Sequence, residues 1–249
     1  MVITVINGQN HKGSTYNIGK ILVDDLGENE VHEFFLPRDL NHFCTGCCNC
    51  IKDESLCPFF EEKKRIMEMV ERSDLLIFTT PTYCMRTSAP MKAFIDLTFT
   101  YWMSHKPRAS MFSKKTVVIS TAAGAGAKSA VKDVTNTLFY WGIPYIKSYG
   151  KAIQAASWDQ VQPELREKIN KDMASLAKKL KSSNAHAGIK TRFMFSMMRM
   201  MQNKGMGAGE EERKYWQDMG WLGKFFQCTR FKKQTFSYYI IVCIIFQLF

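Results

Sequence analysis

The sequence predicts an α/β fold in which a five-stranded parallel sheet carries helices on both faces. Two observations support this prediction. Short apolar runs alternate with segments of helical periodicity up to about residue 180, and Asn-Gly or Pro ends several of the runs. Strands separated by helices form βαβ units, and right-handed crossovers place the helices on both faces of the sheet. Ligands of such sheets bind beyond the carboxyl ends of the strands.

The spacing of these signals assigns the elements in order. Strands are predicted at residues 2–6, 31–36, 74–80, 116–121 and 143–149, and helices at 16–26, 59–72, 89–103, 128–141 and 163–180. The pattern changes after residue 184. We therefore expect a core domain over residues 1–184, a helical extension over 185–224 and an apolar tail of unknown role over 225–249.

The composition is that of an ordinary globular protein, with 249 residues of which 46% are hydrophobic and 23% are charged. A formal net charge of +11 would attract anions, but the lysines are spread along helices, which favours a solvated surface with only a modest benefit to phosphate-bearing cofactors. No nucleic-acid-binding module is recognisable, so no nucleic-acid partner is expected. The chain starts with an apolar run and no basic region, which predicts no signal peptide and a cytoplasmic location.

The loop after the first predicted strand has the composition of a phosphate-binding loop. Backbone N–H groups at a helix start attract an anion, two glycines permit close approach, and hydroxyl and basic side chains surround them. The loop is neither a Walker A motif nor G-x-G-x-x-G, so its chemistry suits a monophosphate. The alternative is that Ser14 or Thr15 only caps the helix. The candidate ligand-binding residues are Gln9, Asn10, His11, Lys12, Ser14 and Thr15.

Two further loops leave predicted strands at the same edge of the sheet. A tyrosine in the first of them can lie against a planar ring, and small residues in the second allow a flat ligand to approach closely. Taken alone, the tyrosine loop is better explained as an ordinary turn with an aromatic core residue, and the other loop has ordinary loop packing as its alternative; the combination of the three loops favours a ligand site. The candidate residues are Pro81, Thr82, Tyr83, Cys84 and Met85, and Thr121, Ala122, Ala123, Gly124 and Gly126.

Four motifs occur in the order and spacing of a known family. They are Gly8-Gln9-Asn10-His11-Lys12-Gly13-Ser14-Thr15, Thr80-Pro81-Thr82-Tyr83, the helix positions Pro90, Lys92, Phe94 and Asp96, and the loop positions Thr121, Gly124 and Gly126. Together they resemble the NADPH-dependent FMN reductase-like branch of the flavodoxin superfamily over residues 1–180. Three positions depart from the family pattern: Gln9 replaces serine, and His11 and Leu97 replace arginine.

The resemblance implies a flavodoxin-like three-layer sandwich with strand order 2-1-3-4-5. It also implies that the first loop holds the phosphate of FMN while the other two flank the ring, and that NAD(P)H is a co-substrate. The expected function is electron transfer from NAD(P)H to a quinone, a flavin or another small electrophile, carried out by a homodimer. No side chain is required as an acid or base, since the cofactor supplies the chemistry. The alternative is an electron carrier that docks on redox partner proteins.

A cysteine-rich loop interrupts the pattern between the second strand and the second helix. The spacing of Cys44, Cys47, Cys50 and Cys57 resembles a compact iron–sulfur motif and that of the iron–sulfur flavoproteins, which implies a [4Fe-4S] cluster. Structural zinc, a redox-active thiol pair and free thiols remain alternatives. With zinc, the chain would be a non-catalytic interaction module. Cys48 is surplus under each of these interpretations, and Cys84, Cys228 and Cys243 are expected to be buried small hydrophobic residues.

The C-terminal part carries two apolar features. Methionines at helical spacing over residues 192–202 indicate packing against the core or a partner, with a membrane-surface helix as the alternative. The tail from Phe236 to Phe249 has 14 residues, short of the ~20 that span a bilayer. Whether this tail contacts a membrane stays open at the level of the sequence.

Overall fold

The computed structural model describes residues 1–207 and 209–222. The strands are β1 (Val2–Asn7), β2 (Glu30–Phe35), β3 (Leu75–Tyr83), β4 (Arg86–Thr87), β5 (Lys115–Ala122) and β6 (Tyr145–Ala152). The helices are α1 (Ser14–Leu26), α2 (Asn49–Lys52), α3 (Phe60–Arg72), α4 (Ala89–Leu97), α5 (Ala127–Tyr140), α6 (Pro163–Ser182), α7 (Ile189–Asn203) and α8 (Glu210–Asp218).

Five parallel strands form the sheet in the order β2-β1-β3-β5-β6. This confirms the predicted order 2-1-3-4-5, because the remaining strand, β4, is a two-residue addition that pairs antiparallel with the end of β3. The sequence analysis missed β4. A strand of this length leaves almost no periodic signal.

Both faces of the sheet are buried, which explains why its central strands are continuously apolar. Alternate residues of β3 enter two separate cores. Leu76 and Phe78 pack with α3, α4 and α5, whereas Leu75 and Ile77 pack with α1 and α6. The result is the predicted three-layer sandwich, with the carboxyl ends of the strands left uncovered by either helical layer.

Three predicted boundaries are wrong by three residues or more. The strand predicted to end at residue 149 continues to Ala152. The helix predicted to reach residue 103 ends at Leu97, because the Thr98 hydroxyl donates to the carbonyls of Phe94 and Ile95 at 2.9 and 3.1 Å and competes with the helical bonds. The strand predicted to end at residue 80 continues to Tyr83. Pairing with β5 through Pro81 and with β4 beyond it extends the strand.

The helical extension packs on the segment that joins α4 to β5. Trp216 is fully buried; its Nε1 donates to the carbonyl of His105 at 2.6 Å, and the Tyr215 hydroxyl donates to that of Pro107 at 2.6 Å. Most methionines of α7 are half-buried, while Phe193 is 44% exposed. Within residues 1–207 and 209–222, no helix is long and apolar enough to cross a membrane. The apolar tail predicted over 225–249 lies outside the described residues, as do Cys228 and Cys243.

Candidate functional site

The three predicted loops lie together at one edge of the sheet. The register places Pro81 opposite Thr121, so β3 and β5 end side by side. The first loop is tied to both ends of the second: Gly8 N donates to the Thr79 carbonyl at 2.6 Å, and the buried Ser88 hydroxyl donates to the Gly8 carbonyl at 2.7 Å. Ser88 was missed in the sequence analysis, although a serine two residues before Pro90 is a signal for a helix start.

The N-terminus of α1 is open to an anion. Its N-cap residue is Gly13, which makes no side-chain capping bond, and its first turn contains no acidic residue. The capping alternative for Ser14 and Thr15 is therefore wrong. The hydroxyl of Thr15 instead pairs with that of Thr121 at 2.5 Å in the protein interior and joins the start of α1 to the end of β5. The backbone N–H groups of the first turn remain available to an anionic ligand.

Two candidate residues of the first loop have protein partners beside this helix start. Asn10 Oδ1 accepts from Arg38 N at 3.2 Å and ties the loop to the segment after β2. Lys12 Nζ lies 5.3 Å from the ring centroid of Tyr16 and 5.9 Å from that of Phe35. The positive charge of Lys12 is therefore held over aromatic faces at the side of the loop.

Gln9 and His11 lie across the opening between the first two loops. A Cβ built on Gly13 would come within 2.7 Å of His11 Nε2, so the imidazole covers the start of α1. Gln9 Nε2 lies 3.0 Å from His11 Nε2, and Gln9 Oε1 accepts a short hydrogen bond from the Tyr83 hydroxyl. Burial of part of the ring raises the pKa of Tyr83, so its hydroxyl stays a donor at neutral pH.

The second loop is a tight hairpin between β3 and β4. Thr82 pairs with Thr87 and Tyr83 with Arg86, which leaves Cys84 and Met85 as a two-residue turn. Both turn residues have positive φ angles, 48° and 65°, as in a type I′ turn, where Asn and Gly are preferred. The non-glycine pair stores strain at the edge of the site.

This hairpin presents its side chains to solvent. Tyr83 is 48% and Met85 55% exposed, and Thr82 is half-buried with its hydroxyl 3.0 Å from that of Ser120. Cys84 is exposed, so its expected burial as a small hydrophobic residue is wrong. Its place in a two-residue turn at the sheet edge leaves no core for it to enter.

A half-buried carboxylate on α5 holds the hairpin in place. Asp133 accepts from Arg86 Nη2 at 2.5 Å, from Arg86 Nε at 3.0 Å and from Thr87 N at 3.2 Å. The Thr87 hydroxyl also pairs with that of Thr80 at 2.7 Å. The role of Asp133 could not be predicted from the sequence, because the residue is more than 40 positions away from the hairpin and lies within an ordinary amphipathic helix.

The third loop closes the far side of the site. Thr121 and Ala122 are buried, whereas Ala123 and Gly124 are exposed. Gly126 has a φ of 95°, and a Cβ built on it would lie 2.8 Å from Thr82 Cγ2 and 3.0 Å from Met85 Cα. Only glycine therefore fits where the third loop meets the hairpin.

These features fit a ligand with an anionic end and a flat end. Uncapped amides at the start of α1 suit a phosphate, while the exposed Tyr83 and the small residues after β5 suit a planar ring. The anion-binding part and the ring-binding part of the site are adjacent. The hairpin is hydrogen-bonded to the first loop through Tyr83 and Gln9, and it is in van der Waals contact with the third loop.

The cysteine-rich loop forms a second cluster beside α3. Cys50 is buried, Cys44 and Cys57 are half-buried against the core, and Cys47 and Cys48 are exposed. In the part of the chain that the structure describes, no group of three or more His, Cys, Asp or Glu side chains is arranged to hold a metal ion. A four-thiolate site would require Cys47 to turn inwards.

A buried lysine lies near the Cys50 thiol. The side chain of Lys63 is fully buried, and its Nζ forms an ion pair with Glu54 Oε1 at 2.8 Å. Glu54 also binds Arg108, at 2.5 Å. Burial raises the pKa of the Cys50 thiol; the Lys63 charge opposes that rise, and Cys57 and Cys44 add to it. The sequence analysis missed Lys63, since a lysine in a charged helix normally faces solvent.

The sequence is similar to a known protein family and to two known proteins. The family model of NADPH-dependent FMN reductases matches residues 1–157. An iron–sulfur flavoprotein of Archaeoglobus fulgidus is 30% identical over 115 residues, which cover 46% of this chain and 50% of that protein. An iron–sulfur flavoprotein of Clostridioides difficile is 31% identical over 101 residues, which cover 39% of this chain and 45% of that protein. The chain spans about half the length of the curated relatives it matches.

Solved structures share the fold at low sequence identity. An NAD(P)H:quinone oxidoreductase from Methanothermobacter marburgensis has a TM-score of 0.58 and 17% identity, covering 74% of this chain and 98% of that one. An FMN-dependent NADH-azoreductase from Bacillus anthracis, solved in complex with FMN, has a TM-score of 0.56 and 12% identity. The match covers 72% of this chain and 99% of that one. Since the family model matches more than half of the sequence, the chain belongs to the NADPH-dependent FMN reductase family.

Proposed function

We propose that this protein is an FMN-dependent oxidoreductase that takes electrons from NAD(P)H and passes them to a small acceptor such as a quinone or a flavin. The observation that carries the proposal is the junction of three loops at one edge of the sheet, with the uncapped start of α1 beside an exposed aromatic hairpin. Family membership and the names of the structural neighbours support the same chemistry.

The roles of the residues follow from their positions. The backbone amides after Gly13, with Ser14, would bind the phosphate, and His11 would lie next to it. The hairpin from Pro81 to Met85 would flank one side of the ring, and residues 121–126 the other. When bound, FMN accepts a hydride and releases electrons singly or in pairs. The protein supplies binding, orientation and an opening through which a nicotinamide and an acceptor can approach.

The test is a binding and reduction experiment on the full chain. Protein mixed with FMN is expected to hold it at one equivalent through gel filtration, with a flavin band at roughly 450 nm. Anaerobic stopped-flow mixing with NADPH or NADH should bleach that band rapidly. Binding without bleaching would favour the alternative, an electron carrier that docks on partner proteins. Failure to bind FMN would refute both.

For the cysteine-rich loop we propose a thiolate site that binds an iron–sulfur cluster. Cys44, Cys50 and Cys57 lie on the inner side of the loop, the Lys63 charge favours the thiolate form of Cys50, and two relatives are named iron–sulfur flavoproteins. Cys47 is proposed as the fourth ligand.

Metal analysis of anaerobically purified protein tests the cluster proposal. Iron and sulfide are expected with the wild type and should be lost when serine replaces any of Cys44, Cys47, Cys50 or Cys57. Cys48→Ser is the matched control, since Cys48 lies in the same loop and is exposed. Zinc in place of iron would support a structural site instead, and absence of both metals would leave the loop as free thiols.

We propose further that the protein acts as a homodimer in the cytoplasm, where thiols stay reduced. The hairpin at the site supports a dimer, because Tyr83, 48% exposed, and Met85, 55% exposed, lie close together at its tip, where a second copy of the chain would cover them. Light scattering coupled to gel filtration measures the oligomeric state, and a monomeric mass for the FMN-bound form would refute the dimer.

A further inference from the structure

Helix α7 packs on the rest of the protein through one face. On that inner face Gln202 is buried, and its amide donates to the carbonyl of Ser104 at 3.2 Å. Phe195 lies against Trp216, with the two ring centroids 5.1 Å apart. These contacts fix the rotation of α7 about its axis, so the residues on its opposite side face outwards.

The outer face of α7 carries an apolar stripe. Ile189 is 88%, Phe193 44% and Met200 47% exposed, and all three belong to α7. Their spacing of four and seven residues places them on one side of the helix. Apolar surface residues that form a continuous stripe, unlike scattered ones, indicate an interaction surface.

The charge around this stripe has one sign. Lys190 and Arg192 are exposed and flank the stripe on its two sides, and Lys204 is exposed at the end of the helix. Residues 173–209 contain seven lysines and arginines and no aspartate or glutamate. Acidic residues resume at Glu210, the first residue of α8, so the acid-free stretch contains the whole of α7.

We infer that the outer face of α7 binds the surface of an anionic lipid membrane. An apolar stripe between flanking cations is the pattern of a helix that lies in the plane of the membrane interface, with apolar side chains among the acyl chains and basic side chains at the headgroups. The phosphates of anionic lipids complement these cations, and no carboxylate within residues 173–209 opposes them. This inference does not depend on the proposed FMN binding.

The same charge disfavours two other occupants of the stripe. A second copy that docked through the same face would bring the flanking cations of both chains together. The C-terminal tail would do likewise, because residues 219–249 contain four lysines and arginines and no acidic residue. A negatively charged lipid surface accepts both the helix and the tail without this repulsion.

Sedimentation of the full chain with lipid vesicles tests the inference. Wild-type protein should bind vesicles of phosphatidylcholine mixed with phosphatidylglycerol more tightly than vesicles of phosphatidylcholine alone, and the difference should disappear at about 1 M salt. Phe193→Ser should lower the partition coefficient on the mixed vesicles about fivefold, since roughly half of the ring is available for burial. Lys190→Gln should lower it by a similar factor, because one charge near the lipid surface is lost.

Two matched controls remove the same side chains elsewhere. Phe43→Ser removes a ring that is 73% exposed in the cysteine-rich loop, and Lys64→Gln removes an exposed lysine of α3. Both control variants should partition like the wild type. Every variant keeps the C-terminal tail, so the comparison isolates the contribution of α7.

Three results would overturn the inference. The first is wild-type protein that stays in solution with the mixed vesicles. The second is binding that neither Phe193→Ser nor Lys190→Gln weakens more than the controls do, which would assign the attachment to the tail. The third is a dimer that Phe193→Ser converts into a monomer, measured by light scattering, with vesicle binding unchanged; the stripe is then an interface between copies of the chain. The two α7 variants remove different forces, so one that folds poorly does not decide the result.

Discussion

Met85 lies directly against Gly126, so that a Cβ built on the glycine would come within 3.0 Å of Met85 Cα and 3.1 Å of its Sδ. The contact joins the strained hairpin to the loop after β5. The nearest obstacles are Thr82 Cγ2, at 2.8 Å, and the Met85 backbone, and neither is the far end of a flexible side chain, so a Cβ on Gly126 would displace the hairpin.

Gly126→Ala should therefore destabilise the protein by about 2–4 kcal/mol, from the positive φ angle of 95° and the overpacking together. It should also weaken FMN binding, because the hairpin must shift. For stability alone, Gly124→Ala is the matched control in the same loop, since a Cβ there meets no protein atom within 4 Å. Urea unfolding and FMN titration measure both effects. Equal stability of the two variants would show that the loop relaxes freely.

The Asp133 carboxylate should contribute more to the free energy of unfolding than the charge of Arg86, which it binds. Arg86 is 69% exposed, and an exposed ion pair contributes at most about 1 kcal/mol. Asp133 also accepts the Thr87 N–H, so Asp133→Ala leaves a half-buried backbone donor unsatisfied, at about 1–3 kcal/mol.

Denaturant unfolding of Asp133→Ala and Arg86→Met tests this order. The alanine variant is expected to be the less stable of the two and to show greater proteolysis within residues 83–87. If Arg86→Met lowers the free energy of unfolding as much as Asp133→Ala does, the ion pair and not the hydrogen bond to the Thr87 backbone holds the hairpin.

Lys63→Met should weaken metal binding by the cysteine-rich loop about 10- to 100-fold, the usual effect of removing a group that supports metal ligands. The fold should survive, since Glu54 keeps Arg108 at 2.5 Å. Lys64→Met serves as the control, because Lys64 is the exposed neighbour on the same helix. Chelator competition followed by metal analysis measures the affinity, and equal retention by both variants would make Lys63 a purely structural residue.

Periodicity predicted the sheet, its strand order and the three loops, because strands buried on both faces and amphipathic helices leave strong signals. The motif order predicted which loops meet. What the sequence did not reveal depends on tertiary contacts: Asp133 reaching the hairpin, Lys12 turned onto Tyr16, and Lys63 buried beside the thiols. Each is a charged residue on a helix or loop, for which a solvated position is the usual expectation. The assignment of the candidate residues to FMN stays a prediction.

Lys114 should make stability rise with pH in the alkaline range. Its ammonium is buried between the carbonyls of Glu71 and Ser73, at 2.7 and 2.6 Å, and burial lowers its pKa from 10.5 to about 8. Between these values the unfolded chain binds the proton and the folded chain does not, so unfolding takes up a proton. The free energy of unfolding then increases with pH, by at most about 1.4 kcal/mol per unit.

Lys114→Met removes this titration and isolates it from other groups. The pKa of Tyr83 and of Tyr215 is raised by burial, which lowers stability above about pH 10 in both proteins equally. The difference in unfolding free energy, wild type minus variant, should therefore grow from pH 8 towards pH 10. Denaturant unfolding at half-unit pH steps measures it. A difference that is flat over this range would mean that the folded protein keeps the Lys114 proton, with the two carbonyls stabilising the ammonium against its burial.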